Sequence, residues 1–219
     1  MPLLPTHEER VSFAAGDSLQ LEGRLHRAAG ATAAIITHPH PRYGGDLHHP
    51  VVAVLTALYQ QCGHTTLRFN FRGVGASGGT YDEGRGEGAD LRAAADYLAG
   101  LGQTVTDLAG YSFGAWINLS LDPPLATVRR QLLVAPPVAL LPFAALPPTS
   151  AAVLVVTGDR DAFAPPAEVW EHATRWQPQA RLRVLPGVDH FYAHGLDALA
   201  TSVAALLAEA RNLDERPAR

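Results

Sequence analysis

Six continuous apolar runs recur along the chain: TAAIITH, HTTLRFNF, TVTDLAG, RQLLVAP, AAVLVVTG and ARLRVLPG. A run without a polar face suits a strand covered on both sides, the position of a strand in a parallel sheet between helices. The sequence also contains the cover. Leu91, Ala94, Leu98 and Leu101 recur at helical spacing, as do Leu196, Leu199, Val203 and Leu206. Val51, Leu55, Leu58 and Cys62 do the same, with Pro50 at the expected helix start and Gly63 just past its end. Strands alternating with amphipathic helices predict an α/β fold whose sheet is mostly parallel and doubly wound. Ahead of them, RVSFAA and LQLEGRLH alternate apolar and polar residues, which predicts antiparallel strands at one edge of the sheet.

No repeat or low-complexity linker divides the chain, so residues 1–219 are read as one domain. The stretch from Ala135 to Ser150 is the one long irregular connection, apolar and proline-rich. It predicts either a surface connection with a short helix or a wall of a substrate pocket or subunit contact, and it is too short for a large lid domain. The formal charge is −4, and the arginines are scattered from Arg10 to Arg219 rather than gathered in a stripe, which argues against nucleic acid as a partner. Cys62 is the only cysteine, so an intrachain disulfide and a thiolate zinc cluster are both excluded; it is expected to be a small buried residue on a helix. MPLLPTHEER lacks a basic start followed by an apolar core, and no stretch approaches the roughly 20 apolar residues of a membrane span. A cytoplasmic protein without a membrane partner is the expectation; oligomeric state is open.

Gly110-Tyr111-Ser112-Phe113-Gly114 fits G-x-S-x-G between strand-like TVTDLA and helix-like FGAWINLSL. A serine there occupies a sharp strand-to-helix turn, where the two glycines let the backbones approach closely. The turn lifts the hydroxyl above the sheet and points the Phe113 N–H toward a developing oxyanion. Gly75-Ala76-Ser77-Gly78-Gly79 matches the same pattern, but GGTYDEGRGEG follows it and cannot begin a helix at once, so Ser112 is preferred. The overlapping Gly73-Val74-Gly75-Ala76-Ser77-Gly78 also fits G-x-G-x-x-G, yet it follows an internal strand and continues as loop, unlike a dinucleotide site. A P-loop is excluded because the chain has no lysine.

A serine hydroxyl needs a base, and the base needs a partner that fixes its tautomer. Gly158-Asp159-Arg160-Asp161 closes one parallel strand and Gly187-Val188-Asp189-His190 closes the last, both at the carboxyl edge where such folds hold ligands. His190 follows the last strand and precedes the C-terminal helix, whereas His172 and His194 lie on or next to helices. Asp161 is chosen over Asp159 because it lies further into the loop, and Asp159 is expected to cap the turn. The expected triad is therefore Ser112, Asp161 and His190.

With these residues in place the chain resembles the small, lid-poor bacterial serine hydrolases of the α/β-hydrolase superfamily related to dienelactone hydrolases and carboxylesterases. THPHPRYGGDLHHPVV, FNFRGVGASGG, GYSFG, GDRD and GVDHF fall in the family's order over nearly the whole chain. The resemblance implies hydrolysis of small carboxylic esters, the acyl group passing to Ser112 and then to water, with no cofactor. Dienelactone hydrolases carry a cysteine nucleophile where this chain has Ser112, which sets the dienelactone substrate aside. In such hydrolases the loop after the third strand supplies a second oxyanion donor. His38-Pro39-His40-Pro41 occupies that position, and since proline has no N–H, His40 is the expected donor beside Phe113. Gly44 and Gly45 would let this loop bend back over the site.

His38, His40, His48, His49 and Asp46 also invite a zinc reading. They share one short loop, and the triad supplies a nucleophile without a metal, so no metal is assigned. Trp116, Phe143, Phe163, Phe191 and Tyr192 are candidates for the pocket lining. The alternatives to an esterase are a thioesterase or peptide hydrolase with the same triad, or a non-catalytic binding protein on this fold.

Overall fold

The computed structural model describes residues 4–16 and 19–214. The first three residues of MPLLPTHEER, and Arg219 with the four before it, lie outside the described residues. One eight-stranded sheet runs through the chain: β1 (Glu9–Ala15), β2 (Leu19–His26), β3 (Thr32–Thr37), β4 (Thr65–Phe69), β5 (Thr104–Tyr111), β6 (Arg130–Val134), β7 (Ala152–Gly158) and β8 (Arg181–Leu185). Its spatial order is β1-β2-β4-β3-β5-β6-β7-β8. β1, β2 and β4 pair antiparallel, and β4 through β8 pair parallel. The two strands with alternating sequences thus form the antiparallel edge, and the apolar runs form the parallel body. β8 is the exception. It closes the other edge, with Arg181 and Arg183 partly exposed and Val184 exposed, because no strand or helix covers its outer side fully.

Five helices clothe the sheet: α1 (Pro50–Gln61), α2 (Arg85–Gly100), α3 (Phe113–Ser120), α4 (Pro166–Trp176) and α5 (Leu196–Asp214). Ala34 and Ile36 pack with α1 and α5, whereas Ala33 and Ile35 pack with α2 and α3, so alternate residues of β3 serve opposite faces. α4 adds Val169, Ala173 and Trp176 against the β7–β8 side. Cys62 sits at the C-cap of α1 and is half-buried, one position beyond the helix in which it is expected, because Gly63 at φ 80° ends the helix there.

The irregular connection of residues 135–150 contains a short 3₁₀ turn, Phe143–Ala145, whose Phe143 is fully buried. No described helix is long and apolar enough to cross a membrane. At the C-terminal ends of β3, β5, β7 and β8 the chain leaves the sheet on one edge; His40, Ser112, Asp161 and His190 lie in the connections that follow, and Phe113 is the first residue of α3.

Candidate active site

Ser112 stands between β5 and α3 with φ 53° and ψ −116°, a conformation few side-chain-bearing residues adopt. Such a backbone costs on the order of 1–3 kcal/mol and persists only where its surroundings hold it. The Ser112 N–H donates to the Val134 carbonyl at 2.9 Å, which ties the turn to β6. A Cβ on Gly110 would stand 2.6 Å from the Ala115 nitrogen, and one on Gly114 would stand 2.6 Å from the Thr37 carbonyl oxygen. Both glycines are therefore required by close approach, and the hydroxyl is held at the top of the sheet.

There it meets a base. Ser112 Oγ lies 2.9 Å from His190 Nε2, and His190 Nδ1 lies 2.8 Å from Asp161 Oδ2 and 3.0 Å from Oδ1. Asp161 Oδ1 also accepts the N–H groups of Phe163 and Ala164, at 2.9 and 2.8 Å. A carboxylate only accepts, so Nδ1 carries the imidazole proton and Nε2 is left to accept from Ser112. Ser112, Asp161 and His190 are 8%, 3% and 8% exposed, which keeps the chain of hydrogen bonds largely out of water. Asp159 is exposed and faces elsewhere: its Oδ1 accepts the Gly187 N–H at 2.6 Å and joins the turns after β7 and β8.

Sequence reasoning missed the brace on this arrangement. The Tyr111 hydroxyl donates to the His190 carbonyl at 2.6 Å across 79 positions, so the residue before the serine holds the loop that carries the histidine. Burial, reinforced by Asp161 and Asp189, pushes the Tyr111 pKa well above the usual tyrosine value and keeps the hydroxyl a donor.

The β3–α1 loop folds back as expected. Gly44 is at φ 79°, and a Cβ on Gly45 would stand 2.1 Å from the Pro39 carbonyl oxygen. The N–H groups of Tyr43 and Gly45 both donate to the His40 carbonyl, at 3.0 and 3.1 Å. The N–H groups of His40 and Phe113 have no backbone acceptor among the described residues, and both residues line the cavity beside Ser112.

The histidines of this loop are occupied separately. His38 is buried, with Nδ1 donating to the Pro39 carbonyl at 2.6 Å and Nε2 accepting the Phe71 N–H at 3.0 Å. His40 Nδ1 accepts the Arg42 N–H, His49 Nδ1 accepts the Val51 N–H, and Asp46 accepts the His48 N–H. No group of three or more His, Cys, Asp or Glu among the described residues is arranged to hold a metal ion.

Above Ser112 opens a cavity of about 560 Å³. Pro137, Leu140 and Leu141 from the 135–150 connection form one wall, so this segment has its short helix and also lines the pocket. Of the five aromatic candidates, Phe163 and Phe191 line the cavity. Phe143 and Tyr192 are buried, against Trp176 and Tyr111, and Trp116 borders a neighbouring hollow with Tyr81 and Arg42. Tyr43, His49 and Tyr111 line the cavity unforeseen, because their positions follow from how the loops fold back rather than from any local pattern.

Ser77 lies in a different setting. Its Oγ donates to the Asn70 carbonyl at 2.7 Å and accepts the Glu22 N–H at 3.0 Å, while Glu22 Oε2 accepts from Asn70 Nδ2 and the Ala76 N–H. The glycine-rich stretch after β4 is thus stitched to β2, and it continues as loop as far as α2, which begins at Arg85.

No protein-family model matches the chain. The structure superposes on a candidate α/β hydrolase of unknown function from Agrobacterium tumefaciens with a TM-score of 0.88 and 34% identity, over 96% of this chain and 100% of the other. A serine hydrolase without a lid from Xanthomonas campestris superposes with a TM-score of 0.81 and 30% identity over 100% of both chains. The chain belongs to the α/β-hydrolase superfamily. An uncharacterized protein of Rickettsia prowazekii is 32% identical over 189 residues, 81% of this chain and 79% of its own. Membership supports a hydrolase, and no large lid domain interrupts the described residues.

Proposed function

We propose that this α/β hydrolase is a serine esterase that cleaves small, uncharged carboxylic esters through an acyl-enzyme on Ser112. One observation carries the reading: a serine hydroxyl on a strained turn, 2.9 Å from a histidine whose other nitrogen is paired with a buried aspartate. His190 Nε2 takes the Ser112 proton as Oγ attacks the ester carbonyl carbon. The negative oxygen of the tetrahedral intermediate is held by the N–H groups of Phe113 and His40. His190 then gives the proton to the departing alkoxide, and the acyl group stays on Oγ. A water molecule, deprotonated by the same nitrogen, attacks the acyl-enzyme, and the carboxylic acid leaves as Ser112 regains its proton. Asp161 keeps His190 in the tautomer this cycle needs.

The cavity size and its aromatic and aliphatic walls favour short acyl and alcohol groups. With no lid to shelter a long chain, soluble short-chain esters are expected to be preferred over emulsified long-chain ones. A fluorophosphonate probe followed by peptide mapping tests the reading. Stoichiometric labelling at Ser112, abolished in Ser112→Ala together with hydrolysis of p-nitrophenyl acetate, is expected. Retained turnover in a folded Ser112→Ala protein would overturn it. Ser77→Ala is expected to keep its labelling at Ser112 and to lose about 1–3 kcal/mol of stability, since Glu22 N–H and the Asn70 carbonyl lose their partner.

A further inference from the structure

The cavity above Ser112 is lined by no aspartate, glutamate or arginine. Beyond Ser112 and His190, its polar side chains are those of His40, Tyr43, His49 and Tyr111. The Tyr111 hydroxyl is engaged with the His190 carbonyl, and Tyr43 projects outward, 86% exposed. His40 is shared with the neighbouring hollow and wedged among the rings of Tyr43, Tyr81 and Phe113. His49 borders the main cavity alone, its ring 4.9 Å from that of Tyr111, and the esterase cycle makes no use of it.

The protonation of His49 is fixed by its backbone partner. Its Nδ1 accepts the Val51 N–H at 3.2 Å, where His49 caps α1. A nitrogen that accepts holds no proton, so the neutral ring must carry its proton on Nε2. Burial lowers the ring's pKa, with Asp46 working against it, and the neutral form is the one the fold favours. Nε2 pairs with no protein group among the described residues, yet it is not sealed from solvent. His49 therefore brings to the cavity lining an N–H donor of fixed tautomer with no protein acceptor among the described residues; His40, whose Nδ1 accepts the Arg42 N–H, has the same tautomer but is shared with the neighbouring hollow.

We propose that His49 is a specificity-determining residue: its Nε2–H donates a hydrogen bond to a neutral oxygen acceptor, an ether or ketone, that the ester substrate carries beyond its scissile carbonyl. The inference rests on the esterase reading above. Discrimination follows from what the wrong substrate does, since an all-carbon isostere strips water from the donor and offers it nothing. A charged substituent is disfavoured because the lining holds no counter-charge.

Isosteric ester pairs test this. p-Nitrophenyl 3-methoxypropanoate against p-nitrophenyl pentanoate places the oxygen in the acyl group, and 2-methoxyethyl acetate against butyl acetate places it in the alcohol. The kcat/KM ratio within each pair is measured for the native protein and for His49→Asn, whose side-chain oxygen can still cap α1 but whose reach ends short of Nε2. Comparing the ratio between the two proteins cancels the intrinsic reactivity of the esters. In at least one pair the preference for the oxygen-bearing ester is expected to fall about fivefold in the variant, the worth of one neutral hydrogen bond. A ratio that stays within about twofold of the native value in both pairs overturns the proposal, whatever happens to thermal stability, because a residue that only caps the helix would leave it there. Failure of all four esters together with no fluorophosphonate labelling of Ser112 is a different result, and it strikes the esterase reading itself.

Discussion

Asp159 and Asp161 lie in the same turn after β7, and their hydrogen bonds separate them. Asp161 accepts from His190 and from two backbone N–H groups, while Asp159 accepts from the Gly187 N–H alone. In Asp161→Asn the amide oxygen can keep the Phe163 and Ala164 donors, which turns the amide N–H toward His190 Nδ1. Nδ1 must then accept, the proton shifts to Nε2, and Ser112 loses its base. A comparable exchange in serine proteases costs roughly 10⁴ in kcat, and a loss of that order is expected here. Asp159→Asn keeps an oxygen for Gly187 and is expected to lose less than about tenfold. Turnover of p-nitrophenyl acetate by both variants, measured beside their unfolding temperatures, checks the ranking; the reverse order would transfer the acid role to Asp159. The meeting of Ser112, Asp161 and His190 is legible in the sequence because each follows the carboxyl end of a parallel strand, and those ends share one edge of the sheet. Tyr111 is not, because nothing in G-Y-S-F-G says that its hydroxyl reaches a carbonyl 79 positions away.

At the scale of elements, the sequence patterns locate all eight strands, the two alternating ones at one edge and the six apolar runs after them, but they misjudge the cover of the last run, β8. β8 is less apolar than its one neighbour β7: Arg181 and Arg183 alternate along it, and the partial cover they mark is the signature of an edge. The loop from β3 to α1 was legible in outline from its glycines and prolines, whereas the hydrogen bonds that fix its histidines depend on β4 and α1. This loop also offers a controlled test of the oxyanion donor. His40 sits at φ −56°, ψ 123°, close to the φ that proline imposes, so His40→Pro removes the N–H with little demand on the backbone at that residue. His40→Ala and His40→Pro both lose the imidazole and its bond to the Arg42 N–H, and they differ chiefly in the backbone donor. The proline variant is expected to turn over about 10²–10³ more slowly than the alanine variant, the usual cost of one oxyanion donor. Equal kcat values in two variants of equal thermal stability would remove His40 from the oxyanion site.

The molecule as a whole is held together partly by polar groups that no periodicity reports. Asp107 lies within an apolar run, yet in the fold it is fully buried against Arg130 and beside His64, which joins β5, β6 and the turn before β4. His38 is a second such group, and it sets an acid limit on the fold. Both of its ring nitrogens are committed, one donating to Pro39 and one accepting from Phe71, and burial lowers its pKa to about 4 from an ordinary 6.5. Protonation at Nε2 would set an N–H against the Phe71 N–H inside the core, so the folded protein resists a proton that the unfolded chain takes up. The unfolded state therefore binds more protons between pH 6.5 and about 4, and stability falls as pH falls through that window. Above it the contribution of His38 is complete; at the bottom of the window about 3 kcal/mol has been lost. Denaturant unfolding at a series of pH values should show this slope, and His38→Gln, which can neither gain nor lose a proton there, should flatten it by up to that amount while lowering stability near pH 7. Carboxylates titrate lower in the same range and contribute equally to both proteins, so the difference between the two curves isolates the histidine. A variant whose curve runs parallel to the native one from pH 7 to pH 4 would mean that His38 is not held neutral by the fold.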